Sequence, residues 1–324
     1  MSKISIIVPV YNSQKYLREC LDSIVTQQYN HIEILIIYTE STDNTFQICQ
    51  SYSAKDNRIR VIPKTDSIPG AAHARNIGLR HALGDYIGFV DSDDIISSDM
   101  YQVLVKNIKM HNADISIGKE TRSLQDLQRK ATQKKQLSLT APEAKKEFIA
   151  GNLFYGELWN KLFHRDILDG LAFDERLTVA EDLDFTWKAI CRAQKIIYTS
   201  NTLYFYRTGT SGLTSSFCLK YIEDTFRVFR QIENDLHKKD DLYALLSYRK
   251  KVYLAQCYLA FEKNMSDPDL DLQNTLKQEL KKYRRVQSGK SCFKRKERLL
   301  SEVTSFSPRI GSLIYNCYKK VKEL

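Results

Sequence analysis

Apolar and polar positions along the first 120 residues switch repeatedly between two periods. Ile4–Val10 is an apolar run, the pattern of a strand buried on both faces of a parallel sheet. The stretch after it, YNSQKYLRECLDSIVTQ, sets Leu17, Cys20, Leu21, Ile24 and Val25 at helical spacing, with Ser13 as the expected N-cap. His31–Ile37 predicts a second strand, and STDNTFQICQSYSAK a second helix capped by Ser41 or Thr42. Arg58–Ile62 reads as a short third strand. PGAAHARNIGLRHALG, Asp85–Val90, Asp99–Met110 and Asp114–Gly118 then predict helix, strand, helix and strand in turn. Strands alternating with helices at this spacing predict a doubly wound α/β sheet.

Residues 119–140 are polar and lack clean periodicity, the pattern of a mobile loop or an insertion. Mixed patterning returns over 142–206, and from about Lys220 the chain reads as helical. The expected organisation is a catalytic-type α/β domain over 1–216 and a helical, basic module over 217–324. At 43% hydrophobic and 27% charged, the composition is that of a soluble globular protein. No apolar run reaches the ~18 residues of a membrane-spanning helix, and the N-terminus reads as a strand rather than a leader peptide. The seven cysteines form no CxxC pair, which argues for reduced thiols in a cytoplasmic protein over a disulfide framework or a zinc knuckle. Of the net charge of +10, +9 arises from residue 278 onward, so the main domain is near neutral and nucleic acid is not an expected partner.

The apolar strand Tyr86–Val90 ends in Asp91, Asp93 and Asp94. Three like charges this close repel and raise one another's pKa. In open α/β sheets ligands bind beyond the carboxyl ends of strands. There a hard divalent cation, magnesium or manganese, would relieve the repulsion through one or two carboxylates and substrate phosphates. The bland alternative is a solvated loop whose aspartates cap the next helix, a role that suits Asp94. An EF-hand does not fit, because Ile95 and Ile96 stand where it needs an oxygen ligand and a glycine. Neither a P-loop nor a GxGxxG turn follows the first strand.

In order along the chain come ISIIVPVYNSQKYLRECLDSI, STDNT, GAAHARNIGL, GDYIGFVDSDD, ELWNKLFHRDIL, RLTVAEDLDF and LYFYRTGTSGLTS, together covering roughly 1–216. This series resembles a bacterial family 2 glycosyltransferase of the GT-A fold, a mainly parallel doubly wound sheet. The resemblance implies metal-dependent, inverting transfer of a sugar, a hexose, from a nucleotide diphosphate sugar to an acceptor hydroxyl. Asp91-Ser92-Asp93 matches the DxD motif, which puts the metal on Asp93 with Asp91 assisting or reaching the ribose. Glu181-Asp182 matches the ED pair, with Asp182 as general base; a helix-opening cap is the plain reading of the same carboxylates. Pro9-Val10-Tyr11-Asn12 would line the nucleotide, with Tyr11 stacked on the base, and Arg75 would lie near the diphosphate. Trp159 and Lys161 match a segment on the acceptor side, and Arg207 would reach the diphosphate when a loop closes.

The match departs at the end of the second strand, where Tyr38-Thr39-Glu40 stand in place of the usual Asp-Asp-Gly. Either Thr39 or Glu40 takes over base recognition, or that recognition is altered or lost; a UDP-sugar is the foremost donor. A histidine shortly after Tyr206, the third metal ligand of some relatives, is not evident. Residues 281–298 carry nine basic residues and one acid, and 310–321 place Ile310, Leu313, Ile314, Cys317, Tyr318 and Val321 on one helical face. Such a segment suits peripheral contact with the inner face of a membrane, a helix packed with solvated lysines, or guidance of an anionic acceptor. The acceptor would be a lipid-linked or protein-linked glycan in surface polysaccharide or glycoprotein synthesis. The competing reading is a non-catalytic partner of this fold that binds glycan or stabilises another transferase.

Overall fold

The computed structural model describes residues 2–129, 135–209, 219–237, 240–264, 270–308 and 311. The chain divides into two compact units, Met1–Ala144 with Gly156–Gly212, and Lys145–Tyr155 with Leu213–Leu324. The second unit thus takes an internal segment, 145–155, that a single boundary near 216 leaves in the first.

The first unit is built on β1 (Ile4–Val10), β2 (Ile32–Tyr38), β3 (Ile59–Pro63), β4 (Tyr86–Phe89), β5 (Ile95–Ile96), β6 (Ile115–Thr121), β7 (Gln136–Thr140), β8 (Lys161–His164) and β9 (Lys195–Phe205). They form one sheet in the order β3-β2-β1-β4-β8-β6-β9-β5, with β7 also beside β9. β3, β2, β1 and β4 run parallel. β8 is antiparallel to both its neighbours, β4 and β6, and β6 is parallel to β9. Because β8 reverses direction twice over, β1, β2, β4, β6 and β9 all point the same way. Their carboxyl ends share one edge of the sheet, and that edge is where the candidate residues gather.

The apolar runs account for this centre. Every residue of β1 but Pro9 is buried, as is Ile32–Ile37 of β2, because helices cover both faces. α1 (Leu17–Val25) buries Leu17, Cys20, Leu21 and Ile24, the stripe its spacing predicts. α2 (Thr45–Ser53), α3 (Ala71–His81) and α4 (Met100–His111) complete the layers around the strands, followed by the short α5 (Leu124–Gln128). α6 (Ala141–Ala150) ends within the second unit, and α7 (Glu181–Arg192) buries Leu183, Trp187 and Ile190.

Three local expectations need correction. Ser13 does not cap α1: its carbonyl accepts from the backbone N–H groups of Tyr16 and Leu17, and Tyr16 holds the N-cap position. Neither Ser41 nor Thr42 caps α2, which starts later behind Asn44; Asp43 Oδ1 accepts the Thr45 N–H at 3.0 Å instead. The polar stretch 119–140 is not one loop. β6 continues into it to Thr121, α5 follows, and β7 pairs antiparallel with β9. Residues 130–134 lie outside the described residues.

The second unit holds α8 (Leu219–Asn234), α9 (Asp241–Asn264), α10 (Leu270–Tyr283) and α11 (Arg295–Phe306). Its core includes Ile222, Leu254, Tyr258, Phe261, Leu276 and Leu280. The basic run Arg249-Lys250-Lys251 points inward. Lys250 pairs with Glu233 at 2.5 Å, Lys251 with Glu302 at 2.9 Å, and Arg249 donates to the carbonyls of Ile149 and Ala150. The apolar face expected over 310–321 lies outside the described residues, save Gly311. Among the described residues no helix is long and apolar enough to cross a membrane.

Candidate active site

The turn after β4 closes when the Asp94 N–H donates to the Asp91 carbonyl at 3.2 Å. The three aspartates then part company. Asp94 is 1% exposed and accepts twice, from Tyr204 Oη at 2.7 Å and from the Arg207 N–H at 2.7 Å. Burial first, and then the charge on Asp91, pushes its pKa up to about 8. Asp94 is therefore the internal anchor of the turn. Asp91 and Asp93 are half-buried and closer to solvent. The Asp91 N–H donates to Tyr204 Oη at 3.2 Å, and Ser92 Oγ meets Ser13 Oγ at 2.7 Å. Arg207 braces the same turn: Nε donates to the Asp93 carbonyl at 2.7 Å, Nη2 to Glu19 at 2.8 Å, and the guanidinium lies 4.3 Å from the Tyr16 ring.

Across from the turn, α7 opens with the carboxylate pair. Ala180, just before it, is left-handed at φ +62°, a conformation that costs a non-glycine residue about 1–2 kcal/mol. Asp182 Oδ1 accepts the Leu183 N–H at 2.7 Å. Burial, followed by the neighbouring Glu181 charge, pushes the Asp182 pKa up to about 7, against the pull of Arg75. A carboxylate with that value takes up and releases a proton near neutrality, as a general base must. Arg75 of α3 joins the two sides: Nη1 donates to Glu181 at 2.6 Å and Nη2 to Asp91 at 3.0 Å. Burial opposes its charge, but Asp91, Glu181 and Asp182 outweigh burial and hold its pKa above the ordinary value.

The ends of β1 and β2 are laced together beside the turn. The Thr39 N–H donates to the Val10 carbonyl at 2.9 Å, and Asn12, at φ +45°, donates to Ser41 Oγ and accepts the Thr42 N–H. Tyr11 is 60% exposed and Glu40 is exposed, whereas the Val10 side chain is in the core and Pro9 is half-buried. Tyr38 turns its hydroxyl to the Ser41 N–H and its ring to Phe46, 4.9 Å away.

Trp159 and Lys161, expected toward the acceptor, lie inside the fold. Trp159 stacks on Tyr204 and Tyr206 at 4.3 and 5.6 Å between ring centres. Lys161 is wholly buried; Nζ donates to the Glu157 carbonyl and to Asn160 Oδ1, and burial pushes its pKa down to about 8 despite Glu157 and Asp182. Tyr204 and Glu19 are not among the expected site residues, and Ser13 is expected only as a helix cap. For Tyr204 a signal existed, since Tyr204 in β9 and Tyr206 just beyond its end alternate with Leu203 and Phe205, the spacing of one strand face.

Among the described residues no three His, Cys, Asp or Glu side chains are gathered to hold an ion by themselves. Magnesium and manganese do not require that, because one or two carboxylates suffice when substrate phosphates complete the shell. Asp91 and Asp93 are half-buried oxygen donors whose charge already raises the Asp94 pKa, so they fit such an ion.

Residues 5–171 match the model of glycosyl transferase family 2. The chain is a family 2 glycosyltransferase. The transferase is 33% identical over 245 residues to "Glycosyltransferase GlyA" of Streptococcus pneumoniae, a match covering 68% of this chain and 32% of GlyA. The chain thus spans about a third of that relative's length. TarS 1–349 of Staphylococcus aureus, solved in complex with UDP-GlcNAc, matches at TM-score 0.68 and 24% identity over 97% of the transferase and 91% of TarS. The mannosyltransferase PcManGT of Pyrobaculum calidifontis, solved with GDP-Man and Mn2+, matches at TM-score 0.58 and 19% identity over 94% and 87%. Both likenesses establish the fold, α/β of the GT-A type with helices at the C-terminus.

Proposed function

We propose that the transferase moves a hexose from a UDP-sugar, with inversion and with a divalent cation, to a hydroxyl of a lipid-linked or protein-linked glycan in bacterial surface polysaccharide or glycoprotein synthesis. The observation that carries this reading is the division of labour among the carboxylates. Arg75 donates to Asp91 of the Asp91/Asp93 turn and to Glu181 of the Glu181/Asp182 pair, so one guanidinium joins the two groups. Solved neighbours of the same fold hold UDP-GlcNAc, or GDP-Man with Mn2+, which supports a nucleotide sugar and a cation.

Asp93, with Asp91, would hold the cation, which when bound neutralises charge on the departing diphosphate. Tyr11 offers an exposed ring for the base, and Asn12, Thr39, Glu40 and Ser92 would complete the nucleotide's surroundings. Thr39 has its N–H committed to Val10 and its carbonyl accepting from Ser41 Oγ, so its hydroxyl is the uncommitted group it offers the base. Asp182 takes the proton from the acceptor hydroxyl on the opposite side. Peripheral contact with an anionic membrane face through 281–324 belongs to the same reading.

Calorimetric titration of the full chain with UDP, GDP, CDP and dTDP, with and without manganese, tests it. Binding of UDP that requires manganese and is lost in Asp93→Ala is the expected result. If no nucleotide binds under any condition, the transfer reading gives way to a non-catalytic partner.

A further inference from the structure

We propose that Arg75 is a positioning residue: one buried guanidinium ties the acidic turn after β4 to the carboxylate pair that opens α7, and fixes how the two halves of the site face each other. The proposal deepens the reading of Asp182 as the base and rests on it for its catalytic meaning.

The geometry leaves Arg75 little freedom. Its side chain is 8% exposed, and its two terminal nitrogens are committed to different carboxylates, Glu181 at 2.6 Å and Asp91 at 3.0 Å. Its Nε is buried without a hydrogen-bond partner, so the two ends of the fork carry the whole interaction. The guanidinium lies 5.8 Å from the Phe173 ring. That ring is held in turn, since the Phe173 N–H donates to Asn76 at 2.8 Å and the ring stacks on Phe185 at 4.0 Å. Asn76 is the residue after Arg75 on α3, so the helix grips both the cation and the wall beside it. A planar fork can span two carboxylates at once, and a lysine ammonium on a flexible stem does so poorly.

Charge gives the link a second consequence. Asp182 is faced by Glu181 from its own helix, by Arg75 from α3, by Glu157 from the turn before β8, and by Lys161 of β8. Glu181 and Glu157 favour its protonated form, while Arg75 and Lys161 favour the carboxylate. Removing Arg75 takes away one of the two cations that oppose Glu181 and Glu157, so Asp182 keeps its proton to higher pH. Removing Glu181 acts in the opposite direction. An arginine whose guanidinium did not reach the carboxylate pair in the donor-free protein would leave this titration alone.

The test follows the Asp182 carboxyl by 13C NMR on the full chain labelled at aspartate, assigned as the resonance missing from Asp182→Asn. The titration midpoint should rise by about one pH unit or more in Arg75→Met, rise less in Arg75→Lys, and fall in Glu181→Gln. In Arg75→Met/Glu181→Gln it should return toward the wild type. An unmoved midpoint in folded Arg75→Met, or equal midpoints in Glu181→Gln and the wild type, overturns the proposal. Should Arg75→Met not fold, Arg75→Lys and Glu181→Gln decide. The measurement needs neither donor nor turnover. A wild type that transfers no sugar therefore counts against the transfer reading, while an unmoved midpoint counts against the link.

Discussion

Between about pH 4 and pH 7, Asp182 keeps a proton in the folded protein that the unfolded chain has already released. Its folded pKa is about 7, raised by burial and then by Glu181, against about 3.9 in an unfolded chain. Between those values the folded state binds more protons than the unfolded state, so this residue's contribution to stability falls as pH rises from about 4 to about 7. An amide at the same place has no such dependence. Asp182→Asn should therefore gain in thermal midpoint relative to the wild type on going from pH 5 to pH 8. The same variant should lose transfer activity by roughly 10²- to 10⁴-fold, the usual contribution of a general base. Both measurements are made on one protein preparation. A midpoint difference that does not change with pH would mean that Asp182 titrates like an exposed aspartate. Full activity would remove it from the chemistry.

α3 is the element on which the site turns, and its packing can be tested apart from its charge. Gly78, one turn beyond Arg75, lies against β1: a Cβ there would come within 2.4 Å of Ile7 Cγ2 and 3.0 Å of Cγ1. Helix propensity alone makes Gly→Ala favourable by about 1 kcal/mol. Overpacking against a fully buried, branched side chain costs about 1–3 kcal/mol, so the clash should win. Gly78→Ala should lower the thermal midpoint by several degrees and weaken activity by lifting Arg75 from its partners; a raised midpoint would refute the close fit. Much of this scaffold was legible in the sequence. The apolar runs of β1 and β2 and the stripe of α1 are periodic signals that depend only on neighbours along the chain. The carboxylates stood out because three like charges after an apolar strand need a reason. What pattern could not supply was pairing across long separations. Nothing local marks β8 as the reversed strand between β4 and β6, or β7 as a partner of β9. Nor does it show that the Arg75 guanidinium reaches Glu181, 106 residues away, or that Lys161 and Trp159 face inward. Side-chain direction in a four-residue strand is set by the sheet around it.

At the scale of the whole molecule the distribution of charge decides which surface meets a partner. Composition alone overstates the basic surface, since Arg249, Lys250 and Lys251 are buried among carboxylates and carbonyls. The stretch 281–298 differs: Lys281, Arg285, Lys294 and Arg295 are exposed, and Leu299 and Phe306 on α11 are 56% and 71% exposed. Cations beside exposed apolar side chains suit an interface where headgroups carry negative charge and acyl chains begin. Each basic residue near such a surface contributes about 1 kcal/mol. Reversing four of them, in Lys281→Glu/Arg285→Glu/Lys294→Glu/Arg295→Glu, should therefore weaken binding by roughly a thousandfold or more. Co-sedimentation of the full chain with phosphatidylglycerol-containing vesicles measures this directly. Binding should be present at low salt, fall steeply as salt shortens the screening length, and be absent with pure phosphatidylcholine vesicles. The four-residue variant should stay in the supernatant while keeping the wild-type affinity for UDP, because all four belong to the second unit and the site carboxylates to the first. A wild type that ignores anionic vesicles would show that the exposed cations are solvated, or serve an acceptor rather than a membrane.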